Sequence, residues 1–165
     1  MGSATFDRSV PRSQCLLVGL ESDLQARLVA RGRALAQREA AHADALALAR
    51  ALADALHARV ADALDAYHQA TRSAPQLAVQ QGEVRHDDKH LHAFEFDVRR
   101  GRHRVIVVVK SRGEVTLVGP FHMGKDEGPC RRISFEAGDV DSPGAALNEG
   151  LGDLLEAFLE EAATP

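Results

Sequence analysis

Between His86 and His92 the chain reads His-Asp-Asp-Lys-His-Leu-His, three imidazoles and two carboxylates in seven residues. On a strand, residues two apart share a face, so His90 and His92 would line up with Phe94, Phe96 and Val98. With Asp87-Asp88-Lys89 as a turn, His86 would sit opposite His90, and His86, His90 and His92 could converge on Zn²⁺, which takes imidazole nitrogens in tetrahedral geometry. The competing reading is a solvated hairpin end, because Asp in a turn bonds the local backbone and the histidine face runs on into phenylalanines. Zn is the one cofactor the sequence suggests.

A second group is basic. Arg99, Arg100, Arg102 and Arg104 come from one short connection; His122, Lys125, Arg131 and Arg132 come from the next. Guanidiniums beside glycine-rich backbone suit a phosphate, a carboxylate or an acidic partner. In an antiparallel meander these residues lie at the opposite end of the sheet from His86 and His90, roughly 20–25 Å away at 3.3 Å per residue, so the two groups form separate sites. Cys130 with His122 and Asp126 would need a hydrogen-bonded thiol–imidazole pair to be a nucleophile, and nothing in the spacing fixes one. P-loop, G-x-G-x-x-G, H-E-x-x-H, C-x-x-C and G-x-S-x-G patterns are absent. No catalytic residue is assigned, and the chain is read as non-enzymatic.

Composition narrows the classes further. The net charge is −4, and aromatics make up 4% with no Trp. Stacking platforms for bases are scarce, and nucleic acid is not an expected partner. Residues 75–132 hold eleven Lys and Arg against eight Asp and Glu, whereas residues 133–165 hold eight acids and no Lys or Arg. The acidic C-terminal block is expected to lie against the basic end. Cys15 and Cys130 fit reduced thiols of a cytoplasmic protein better than a disulfide framework. No stretch approaches the roughly 20 apolar residues of a membrane span.

The elements that must position these groups read as one α+β domain over 1–165. Residues 1–13, with Pro11, form an arm. Ser22-Asp-Leu-Gln25 matches a capping box and opens a long N-terminal α-helix over 22–72. Its stripe runs through Leu35, Leu46, Ala49, Ala53, Leu56, Val60, Ala63 and Tyr67. Such a helix is about 75 Å long at 1.5 Å per residue, too long for the domain. It must bend near Gly32 or Gln37–His42, or pair as a coiled coil in a homodimer.

After Pro75 the period falls to two. Five antiparallel strands are expected within 77–136, at 77–86, 90–98, 104–110, 114–121 and 130–136. Arg104-Val-Ile-Val-Val-Val-Lys110 is apolar on both faces and so is central and covered on both sides. Ser142-Pro143 then opens an acidic C-terminal α-helix over 144–162, packed on the sheet. A homodimer through the long helix, together with an unidentified protein partner, is the expected mode of action.

Overall fold

From Arg12 to Ala70 the chain contains no proline and is dense in alanine and leucine, the residues that lose least on becoming helical. In a computed structural model these 59 residues form one helix, α1. The structure describes residues 12–87, 92–124, 131–138 and 144–163, with side chains of α1 from Ser22 onward. The chain falls into two units, 1–41 and 42–165. The described part of the first is helical, and from Ser22 onward it is almost wholly exposed.

The expected helix start at Ser22 is corrected: α1 runs through the capping-box pattern, and through Gly32 and 37–42 as well. A capping box is a local signal, and no proline stands upstream of Ser22, from Arg12 on, to enforce it. Of the expected arm, residues 1–11 lie outside the described residues. Arg12 and Ser13 are helical.

Within the second unit, α1 ends ahead of Pro75. Thr71 N–H donates to the Tyr67 carbonyl (2.9 Å), and a short 3-10 turn follows at Pro75–Leu77. Side chains of α1 fix this connection. Tyr67 Oη donates to the Leu77 carbonyl (3.1 Å), Val79 N–H donates to His68 Nε2 (3.2 Å), and His57 Nε2 bonds the Gly82 carbonyl (3.0 Å).

The sheet comprises β1 (Gln80–Gln81), β2 (Arg85–His86), β3 (Ala93–Arg100), β4 (His103–Lys110), β5 (Glu114–His122) and β6 (Arg132–Glu136). Its order is β1-β3-β4-β5-β6, with β2 also on β3, and every pairing is antiparallel. The α+β meander expected from the sequence is present. One expected strand, 77–86, differs. It is divided into β1 and β2 around Gly82, whose N–H donates to the Asp97 carbonyl (2.8 Å).

Helix α2 spans Ala145–Ala163. The core joins Ala53, Leu56 and Val60 of α1 to Phe96, Val98, Val105, Val107 and Val109 of the sheet and to Leu147, Leu151 and Phe158 of α2. Each large side chain buried there contributes about 1.5–3 kcal/mol. Gly150 allows the close approach of α2, since a Cβ there would stand 2.4 Å from Cζ of Phe135.

The opposite face of the sheet is polar. Arg85 pairs with Glu95, Arg104 with Asp97, and Lys110 and Arg112 with Glu114, all around the half-buried Ile106 and Val108. Among the described residues no helix is long and apolar enough to cross a membrane.

Candidate functional site

At the histidine end, β2 sets His86 opposite Phe94 on β3, with the two rings edge to face at 5.1 Å. His92 meets α1 instead. Its Nδ1 lies 3.1 Å from Nε2 of His42, and the rings are edge to face at 4.6 Å. One nitrogen of that contact carries the proton and the other accepts it. His90 lies outside the described residues, as does the turn from Asp88 to Leu91. Among the described residues no group of three or more His, Cys, Asp or Glu is arranged to hold a metal ion. Sequence reasoning linked His92 to its neighbours in the hairpin and missed His42, fifty positions away. The one available signal was His42 interrupting the apolar stripe of α1.

The basic end is divided between the two faces of the sheet. Arg99 is opposite Arg104, which is opposite Phe121; Arg100 is opposite His103, which is opposite His122. Side chains at paired positions share a face, so Arg99 and Arg104 stand on one side and Arg100 and His122 on the other.

Arg104 is bound into the fold: its Nε donates to Oδ2 of Asp97 at 2.8 Å, and Asp97 is only 3% exposed. Arg100 donates to the Gln76 carbonyl (3.2 Å), and its Nη1 is buried with no partner among the described residues. With Ala78, Gln80, Arg99, Gly101 and Met123 it lines a cleft of about 340 Å³. The carbonyl of Arg102 accepts from Met123 N–H (2.8 Å), and its side chain is exposed. His122 packs edge to face on His103 at 4.9 Å. Arg131 and Arg132 are exposed at the start of β6. Lys125, with Asp126 and Cys130, lies outside the described residues.

Among the described residues, a large electrostatic perturbation falls outside both groups. Glu114 is held down to a pKa of about 2, chiefly by the hydrogen bond from Lys110, then by those from Arg112 and Ser134.

Two apolar features remain. Leu24, Leu28 and Leu35 on α1 are 58%, 63% and 53% exposed. At about 3.6 residues per turn they fall within one narrow stripe, at spacings of four and seven that were available in the sequence. The second feature is a groove of about 280 Å³ between α2 and the edge of the sheet, lined by Leu117, Ile133, Phe135, Gly150 and Leu154. Arg131, Glu149 and Asp153 are the charged residues of its lining. Leucines, guanidiniums and carboxylates presented this way suit contact with another macromolecule.

Comparison with family models, curated proteins and solved structures finds no match to this chain.

Proposed function

We propose that this chain is a non-enzymatic interaction protein that self-associates through α1 as a helix pair and presents its remaining surface to a protein partner. The observation that carries this reading is the exposed stripe of Leu24, Leu28 and Leu35. Burying such side chains is worth about 1.5–3 kcal/mol each, set against the cost of association. Scattered single leucines at a surface need no explanation; three on one stripe of one helix do.

The segment that pairs is not the one the sequence stripe suggested. Leu56 and Val60 are 0% and 1% exposed against the sheet, so they belong to the fold. The exposed leucines nearer the N-terminus take their place. A second copy alongside, in register and parallel, would set Arg31 against Arg31 and Arg38 against Arg38. An antiparallel copy staggers them and brings Leu24 opposite Leu35, which makes it the favoured arrangement. The same reading assigns the chain to the cytoplasm, with Cys15 and Cys130, far apart in sequence, as thiols.

Light scattering of wild type and of a Leu28→Glu, Leu35→Glu variant tests it. Both positions are exposed, so the variant is expected to fold, with an unchanged circular dichroism spectrum and a lower native mass. Equal masses for the two proteins would refute pairing through α1.

A further inference from the structure

Strand β6 is the last strand of the sheet among the described residues. Its hydrogen-bonding phase follows from its neighbours. Gly119 N–H donates to the Arg131 carbonyl (2.8 Å) and Ala137 N–H donates to the Gly113 carbonyl (2.9 Å). In an antiparallel ladder the residues that bond one neighbour alternate with those that face away from it. Residues 131, 133, 135 and 137 therefore bond inward to β5. Arg132, Ser134 and Glu136 direct their backbone N–H and C=O groups out of the edge. Their side chains lie on the polar face, because Thr116 Oγ1 meets Ser134 Oγ there at 3.0 Å. Ile133 and Phe135 lie on the α2 face, lining the groove.

The strand reads Arg-Ile-Ser-Phe-Glu, and this order is complementary to its own reversal. We propose that a second copy of the chain docks on this edge, β6 against β6, antiparallel about a two-fold axis at Ser134. Arg132 then faces the partner's Glu136, and Glu136 faces the partner's Arg132. Ile133 faces the partner's Phe135, and the sheet becomes continuous across both subunits. Each of the pairs 132–136, 134–134 and 136–132 joins residues whose backbone groups point outward, so each exchanges both N–H···O bonds.

Charge and apolarity select this register. A shift by two residues sets Arg132 against the partner's Ser134 and loses both ion pairs. A shift by one residue would put charges on the apolar face, and a parallel arrangement brings like charges together. The neighbouring groove supports the choice, since Gly150 lets α2 settle onto Phe135 while Ile133 remains 39% exposed. A second copy would cover that residue with its own Phe135.

This interface is distinct from the α1 contact, and its test is made without that contact. In the Leu28→Glu, Leu35→Glu background, light scattering is expected to give twice the chain mass. Adding Arg132→Glu should give the monomer, with about a tenfold or greater rise in dissociation constant from lost and reversed cross-strand pairs. Adding Glu136→Arg to that variant restores complementarity and should restore the dimer. Arg132 and Glu136 are both exposed, so circular dichroism should stay constant through the series. A monomeric background protein, a dimer indifferent to Arg132→Glu, or a failure of the reversed pair to restore association would overturn the proposal.

Discussion

Gly82 lies so close to Asp97 that a Cβ on Gly82 would stand 2.1 Å from Oδ1 of the carboxylate, while its N–H donates to the Asp97 carbonyl at 2.8 Å. The same carboxylate receives Nε of Arg104 through its other oxygen. Gly82→Ala must therefore turn the carboxylate off Arg104 or move the backbone that joins β1 to β2. We expect a loss of about 2 kcal/mol or more in urea unfolding, the range for disrupted buried polar contacts. A neutral alanine would show that Asp97 can rotate without penalty.

Arg99 on β3 and Arg104 on β4 are opposite one another, yet they should respond differently. Removing Arg104 leaves a buried carboxylate without its cation. Loss of one partner of a fully buried pair costs 3–5 kcal/mol. The Arg104 side chain is 22% exposed, so about 2 kcal/mol is expected for Arg104→Ala. Arg99 is exposed, and Arg99→Ala should change stability by no more than about 0.5 kcal/mol. Equal effects in chemical denaturation would contradict a structural role for Arg104.

This pair also marks how far the sequence could be read. Period-two runs located β3 to β6, and the Ser142-Pro143 signal located α2 to within about a residue, because both patterns are local. Gly82 splitting the first strand was not legible. Its reason is Asp97, fifteen positions away. The guanidiniums of Arg99 to Arg104 read as one surface, but pairing distributes them over two faces and a buried carboxylate takes Arg104. The even residues of β4 read as a face needing a second layer. Half-buried Ile106 and Val108 instead stand among ion-paired side chains of neighbouring strands. The stripe of α1 was read correctly as apolar, yet periodicity alone does not tell a helix packed on its own sheet from one paired with another chain. His42 against His92 is a long-range contact of the same kind.

Phe158 of α2 is fully buried, whereas Leu48 of α1 is 63% exposed. Phe158→Ala should cost about 3–5 kcal/mol through lost burial and the cavity left behind. Leu48→Ala should stay within about 0.5 kcal/mol of wild type. Thermal melts of the two variants check this. An unperturbed Phe158→Ala protein would mean that α2 is not held against the sheet.

The depressed pKa of Glu114 gives a pH dependence of definite sign. Its folded value of about 2 lies below the ordinary 4.5, so the unfolded chain takes up the proton first as pH falls. The contribution is complete above about pH 4.5 and is lost as pH falls toward 2. Because the group is partly exposed, the effect is modest. The stability difference between wild type and Glu114→Gln should be constant at neutral pH and shrink across that acid window. A difference unchanged down to pH 2 would contradict the Lys110 and Arg112 contacts.

Self-association through Leu24, Leu28 and Leu35 is the role proposed for α1. Its most direct measurement is sedimentation equilibrium of the wild type beside the Leu28→Glu, Leu35→Glu variant. The wild-type mass should be a multiple of the 17.8 kDa chain, and it should fall in the variant while the fold is retained. A wild-type protein that sediments at 17.8 kDa would contradict it.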